Sequence, residues 1–591
     1  GTPVTAKYTP TVTPVTPTAE DVTSTGKQGQ EQKQTPKFTE GDEVAPITIN
    51  ADQPAKFIDP ATGEPTDATE LPAMKDGKQV GTYTINPTTG EVTFTPNKDF
   101  VGTPDAITVQ AKDANGTAVT ATYTPTVTPV TPTATPAETT GVQGATQTGK
   151  PVFTEGDSRV PMNDDVAATF DDGSTTKTVD GVGTYTVAAD GTVTFVPDPS
   201  FTGTAPAVTV VREDKNGTKA SATYTPTVNP VTLTPTNKVS EDIQNVPQTE
   251  TPTFALSDDE TAQITSKKLI DPATGQPTDE TTVTVAGEGT YTIDPTTGAV
   301  TFTPEKDFVG TATGVKVQAT ATITNADGKA STITSDASYT PTVVAAVPTA
   351  NPATSKDIQG ATQTGTPTFE GATVQVSGQD KAITIKDNSY TLLDNDGNEV
   401  TSTPAYAADG TTEIGTYSID PATGQVTFTP TDKSYTGAVT PVKVQAESSN
   451  GIKVDTTYTP EIVPVTPTAT PAETTDIQGA TQTGKPEFKG GTVTVDGVEK
   501  TVEINEDVPA TFDDGSTTKT VDGVGTYTVA ADGTVTFVPE KSFTGKAPAV
   551  TVVREDMNGT KASATYTPTV TPVTPTATPA ETTDIQGATQ T

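Results

Sequence analysis

Carboxylates are the only groups present in numbers that could do chemistry. The 591 residues include 74 Asp and Glu against 35 Lys and Arg, with no Cys, His or Trp. Adjacent acids stand at Asp171-Asp172 and Asp513-Asp514, both inside the segment FDDGS. A glycoside hydrolase needs two carboxylates facing each other across a cleft. Two neighbouring Asp before Gly-Ser read instead as a turn between strands. The commonest general base, imidazole, is missing from the whole chain. No catalytic residue, no cofactor and no cofactor-binding residue is therefore expected, and the chain reads as a non-enzyme. Without Cys there is neither a disulfide framework nor a thiolate zinc site. Without His there is no charge switch near neutral pH.

Hard oxygen ligands crowd one other place. The segment LLDNDGNEV brings Asp394, Asn395, Asp396, Asn398 and Glu399 close together. Asp394, Asp396, Asn398 and Glu399 form a weak calcium candidate. They lack the full spacing of a calcium loop, and Asn395-Asp396-Gly397 alone makes a good hairpin turn, which is the favoured reading. Asn-Gly-Thr occurs at Asn115, Asn216 and Asn558, and it too reads as hairpin turns rather than glycosylation sites. The net charge of −39 opposes binding to nucleic acid and to anionic membrane. No apolar run reaches 18 residues, so membrane insertion is not expected either.

The elements around these residues are strands. In GTYTINPTTGEVTFTP, Tyr83 and Ile85 alternate with Thr82 and Thr84, and Val92 and Phe94 alternate with Thr93 and Thr95. Period two in β-branched and aromatic residues predicts a half-buried hairpin, turned at Pro87 and Gly90. A shorter loop, Ala189-Asp190-Gly191, predicts a three-residue turn with a glycine bulge. The predicted core anchors are Tyr83, Phe94, Tyr185, Phe195, Tyr291, Phe302, Tyr417, Phe428, Tyr527 and Phe537, on the face that alternates with Thr. A second hairpin sets Ile107, Val109 and Ala111 against Val119, Ala121 and Tyr123 across Asn115-Gly116.

These patterns recur. Gly-Thr-Tyr returns at Tyr83, Tyr185, Tyr291, Tyr417 and Tyr527, at spacings of 102, 106, 126 and 110 residues. Tyr-Thr-Pro returns at Tyr8, Tyr123, Tyr224, Tyr339, Tyr458 and Tyr566. A period near 100 fits an array of whole domains rather than a solenoid. The expected division is the tail of a preceding repeat at 1–19, repeats at 20–133, 134–235, 236–348, 349–467 and 468–575, and the start of a following one at 576–591. The spacing of 126 implies an insertion in the fourth repeat, around DNSYTLLDNDGNEVTSTPAYAADG. Each repeat should be an antiparallel β-sandwich, giving an all-β chain. Between repeats, TPTVTPVTPTATPAETT carries Pro125, Pro129, Pro132 and Pro136 and predicts semi-rigid polyproline II linkers.

The pattern GTYTI, GxVTFTP, FxGxxxxVxV and YTPxV, preceded by DIQGATQTGxPxF, resembles the CshA-type fibril repeat of streptococcal and related Gram-positive surface adhesins. The resemblance covers all five repeats. It implies a cell-wall-anchored fibril outside the cell, whose repeats hold an adhesive region away from the wall. Host matrix or other cells would then be bound through regions outside this chain, with no partner bound by the repeats themselves and the chain an elongated monomer. The alternative is that the repeats bind matrix, glycan or other cells directly. Intramolecular Lys–Asn isopeptide bonds occur in other Gram-positive surface proteins, but no Lys and Asn are placed alike in all five repeats.

Overall fold

A computed structural model describes residues 1–583, 586, 587 and 589. The strands form five sets of sheets, covering 18–128, 133–229, 233–344, 349–463 and 468–571. Among the described residues there is no helix, and no strand pairs with a strand of another set. The strands Thr133–Thr135 and Leu233–Thr236 straddle the sequence divisions at 133/134 and 235/236. The segment 576–591 carries no strand among its described residues and lies partly outside them.

Repeat two shows the plan. One sheet has the order Gln147–Gly149, Val193–Pro197, Gly183–Val187, Thr176–Val179, antiparallel throughout. The second sheet has the order Ala137–Val142, Lys219–Asn229, Val208–Glu213, Thr169–Phe170. A short ribbon joins Thr133–Thr135 to Val152–Thr154. The two sheets pack face to face over one cluster that includes Phe170, Tyr185, Val193, Phe195, Val208, Val210, Tyr224 and Val228. The sandwich is not antiparallel throughout, because Ala137–Val142 runs parallel to the final strand Lys219–Asn229. The same parallel closure recurs in the other four repeats.

The alternation seen in the sequence becomes register. Tyr185 faces Phe195 across the first hairpin, with ring centroids 4.6 Å apart, and both are buried. The equivalent pairs are Tyr83–Phe94, Tyr291–Phe302, Tyr417–Phe428 and Tyr527–Phe537, all buried. The glycine before each Thr-Tyr is needed for close approach. A Cβ on Gly183 would lie 2.5 Å from the Val196 carbonyl oxygen, and the same clash recurs at the other four copies. The loops also match: Asn86 N donates to Glu91 O, and Ala188 N donates to Thr192 O around the shorter turn.

The phenols are held in the same cores. Tyr185 Oη donates to Pro206 O at 2.8 Å, and burial pushes its phenol well above the usual value. Desolvation similarly raises Tyr527 to about 12. Repeat three differs, since the buried Tyr291 Oη donates to no carbonyl.

Two glutamines complete each repeat. Gln147 Oε1 accepts from Thr139 Oγ1 at 2.6 Å, Thr139 Oγ1 meets Tyr224 Oη at 2.8 Å, and Gln147 Nε2 donates to Thr227 O at 3.0 Å. Gln32, Gln248, Gln363 and Gln482 make the corresponding bonds in their repeats. Four residues earlier, Gln143 Nε2 donates to Pro199 O at 2.7 Å while its Oε1 accepts from Val231 N at 3.1 Å.

These bonds overturn the linker expectation. Residues 124–128 end a strand that starts at Ala118, and 133–135 and 137–142 are strands as well. Pro226 sits in a strand, where its carbonyl accepts from Ala205 N at 2.9 Å and no N–H is needed in return. Val130, Val231 and Val465, which the polyproline reading leaves in solvent, are 2–4 % exposed. Proline spacing alone misses this because β-branched residues between the prolines have apolar surface to bury.

The extra length of repeat four has two sources. One is the paired strands Thr391–Leu393 and Glu399–Val400, inside the segment expected to hold the insertion. The other is a separate upstream hairpin, Ala372–Val376 with Gln379–Ile383, which repeat five shares as Gly491–Val495 with Val498–Val502.

Replacing Gln147 with Leu should strand Thr227 O and the Thr139–Tyr224 pair, destabilising repeat two by about 1–3 kcal/mol. Tyr185→Ala should cost about 3–5 kcal/mol there, close to the whole stability of a domain of this size. Domain-resolved amide exchange on the intact chain checks both, and unchanged protection in repeat two would contradict this account of the core.

Candidate functional site: the junctions between repeats

Of the acidic candidates, Asp394 lines a cleft of about 280 Å³ with Asn395, Thr403, Tyr406 and Thr440, and no second carboxylate lines it. Asp171 and Asp172 flank the turn closed by Phe170 N to Ser174 O, and Lys177 Nζ lies 2.6 Å from Asp171 and 3.3 Å from Asp172. Hydrogen bonds from Ser174 hold the Asp172 carboxyl down at about 2. Asp513, Asp514 and Lys519 repeat this arrangement in repeat five.

The segment around Asp394 is likewise a turn. Asp394 Oδ1 accepts from Asp396 N at 3.0 Å and Asn398 N at 2.8 Å, and its Oδ2 accepts from Asn398 Nδ2 at 3.1 Å. Glu399 is drawn away to Lys453. Among the described residues no group of three or more Asp or Glu is placed to hold a metal ion.

The residues that do converge lie where repeats meet. In repeat two the Asn216-Gly217 turn precedes the strand Lys219–Asn229, and Gln143 N donates to Asn229 O at its far end. The Asn-Gly turn and the Gln-Gly turn thus occupy opposite ends of one sandwich. At each junction the hairpin turn of one repeat meets the glutamine turn of the repeat before it. Asn558 Nδ2 donates to Gln359 O at 2.7 Å, and Gln359 Nε2 donates to Thr560 Oγ1 at 2.6 Å. Asn450 Nδ2 donates to Ala346 O at 2.9 Å, and Asn245 Nδ2 donates to Asn450 O at 3.2 Å.

The first two junctions vary the theme. Asn325 Nδ2 donates to Pro197 O at 2.7 Å, and Ser331 Oγ donates to Pro199 O at 2.6 Å. Val231 there packs with Ala262 and Ile323 of repeat three. At the first junction a Cβ on Gly29 would lie 3.4 Å from Asn216 Oδ1, and Lys27 Nζ pairs with Asp157 at 2.5 Å. Hydrogen bonds from Arg159 and Lys27 hold the Asp157 carboxyl far below its usual range. The turns at Asn115, Asn216 and Asn558 all form with the following glycine at positive φ, 81–85°. Asn216 and Asn558 face a neighbouring repeat, whereas Asn115 is exposed.

Reading one repeat at a time conceals these contacts, because the turn residues satisfy local geometry first. The available signal was Gln repeated four residues apart in every copy, a polar residue kept where a loop does not require it.

Asn558→Ala should leave repeat five folded, since Asp556 Oδ1 still accepts from the backbone N–H groups of residues 558 and 560. It should weaken the fourth junction by about 1 kcal/mol, seen as faster exchange around Gln359 and as independent tumbling of repeat five. Unchanged exchange and tumbling would show that this bond does not hold the junction.

A family match agrees with a repeat array. The model for the surface adhesin CshA repetitive domain matches residues 14–127, 129–228, 230–343, 345–462 and 464–570. No curated protein matches. Among solved structures, protocadherin gamma B2 extracellular cadherin domains 3–6 are similar at 11% identity and a TM-score of 0.25, over 76% of this chain and 100% of that one. The human desmocollin-1 ectodomain is similar at 13% identity and a TM-score of 0.19, over 97% of this chain and 100% of that one. Sidekick-1 immunoglobulin domains 1–5 align at 11% identity and a TM-score of 0.19, over 95% and 99%. The family matches cover nearly the whole chain, which therefore belongs to the surface adhesin CshA repetitive domain family as five tandem repeats of a cell-surface adhesin.

Proposed function

We propose that this repeat region is a non-catalytic stalk of a bacterial surface fibril, anchored to a Gram-positive cell wall, that holds an adhesive region beyond this chain away from the cell. The carrying observation is that repeats two, three and four each receive one neighbour at one end of the last strand and the other neighbour at the opposite end. A strand of 11 residues such as Lys219–Asn229 spans about 36 Å. Five repeats joined in this way give a monomer on the order of 180 Å long. The accessible surface of 31271 Å² fits the same picture. A single compact protein of 60.6 kDa would expose about 19,500 Å². The net charge of −39 opposes folding back, less so as salt rises.

Direct binding by the repeats is the second reading, and one feature favours it. A cleft of about 440 Å³ at the first junction is lined by Lys27, Lys98, Arg159 and Lys215, a concentration of cations in an acidic chain. Asp157 neutralises part of it by pairing with Lys27 and Arg159.

Small-angle scattering on the intact chain should give the radius of gyration of a rod, and a value near that of one globule of this mass would overturn the stalk reading. Beads coated with the chain should adhere neither to host matrix nor to one another. Adhesion that is lost in Lys98→Gln, Lys215→Gln would establish the second reading instead.

A further inference from the structure

Repeats four and five carry a β-hairpin that the first three lack among the described residues, Ala372–Val376 with Gln379–Ile383 and Gly491–Val495 with Val498–Val502. Each hairpin reaches back to the preceding repeat. Lys381 pairs with Asp242, and Lys500 pairs with Asp357 at 2.5 Å. Ile243 and Ala346 of repeat three are buried with Ile383, beside Ala372, Val374 and Val376. At the third junction an acid and an isoleucine just before the glutamine thus receive a lysine and an apolar strand face, and at the fourth Asp357 receives Lys500 beside a half-buried Ile358.

The receiving faces sort with the hairpins. Repeats three and four present Asp242-Ile243-Gln244 and Asp357-Ile358-Gln359, and a hairpin-bearing repeat follows each. Repeats one and two present Gly26-Lys27-Gln28 and Gly141-Val142-Gln143, with no acid, and a repeat without the hairpin follows each.

Repeat five presents Asp476-Ile477-Gln478-Gly479. Its geometry is already that of the occupied faces. Asp476 Oδ1 accepts from Ile477 N at 2.7 Å, as Asp242 does from Ile243 N and Asp357 from Ile358 N, both at 2.6 Å. Gln478 Nε2 donates to Lys541 O at 3.0 Å, as Gln359 Nε2 does to Ser434 O at 3.1 Å. Ile477 is 56% exposed, whereas Ile243 is 4% exposed.

We infer that the Asp476–Gly479 face of repeat five is a docking site selective for a repeat of the hairpin-bearing kind, whose lysine pairs with Asp476 and whose β-branched hairpin face covers Ile477. Charge complementarity and the two occupied copies of the same face select this occupant over repeats of the kind found at positions two and three. The inference holds whether the array acts as a stalk or binds directly, so its failure would leave that question untouched.

The absence of Cys permits a direct test, because Ile477→Cys introduces the only thiol. In the intact chain it should be alkylated rapidly. Replacing the residues after 575 with a second copy of 468–571 should slow alkylation at 477 by about tenfold or more. A copy of 133–229 placed there instead should leave the rate unchanged, and Lys→Gln at the added copy's counterpart of Lys500 should restore about threefold of the lost rate. No slowing by the hairpin repeat, or equal slowing by the other repeat, would overturn the inference. The same rule can be read without any addition. Ile358→Cys should react slowly in the five-repeat chain and faster once Lys500→Gln is introduced, and a rate indifferent to Lys500 would equally overturn it.

Discussion

The structure depends on how each repeat closes, and two glutamines do that. A domain poor in apolar residues, in a chain that is 31% hydrophobic, cannot rely on core volume alone to fix its first strand. Gln147 is buried with its amide bonded on both sides, so displacing Ala137–Val142 would leave polar groups unpaired in a low-dielectric interior. Gln143 does the same for the departing chain at Asn229 and Val231. The first fixes the entry of the chain and the second fixes its exit. Because they are four residues apart, entry and exit are set relative to each other, and the next repeat is set with them.

Much of the repeat was legible from sequence because strand alternation is a local code. Tyr185 and Phe195 are core residues by pattern, and their partners in register follow from the turn length. The hairpin turns at Ala189–Gly191 and Asn115-Gly116 were legible for the same reason, since the glycine must take positive φ. The parallel pairing of Ala137–Val142 with Lys219–Asn229 was not, because 82 residues separate Ala137 from Lys219 and no turn joins them. Sequence pattern also misjudged the proline-rich stretches. Val127 and Val228 there join the core of their own repeat, whereas Val231 packs against Ala262 and Ile323 of the next, a surface that cannot be seen from one copy.

The acidic clusters show the opposite case. Asp171-Asp172 and the group around Asp394 looked like chemistry only as composition. In the fold their oxygens accept backbone N–H groups that the turns would otherwise leave unpaired, or meet a lysine on the next strand. The proline-rich stretches expected as linkers are strands, and the segment around Asp394 forms the turn that its sequence favours.

The parallel closure has a mechanical meaning. The chain enters each repeat at the start of one strand and leaves at the end of its parallel neighbour, with Ala137 opposite Tyr224 and Val142 opposite Asn229. Pulling on the two ends of the array therefore slides these strands along each other. The ladder bonds and the glutamine contacts load together in shear, instead of breaking one after another as in a zipper. The same closure occurs in all five repeats, so tension would meet five such clasps in series. Whichever one slips first would release about a hundred residues of slack while the others still hold.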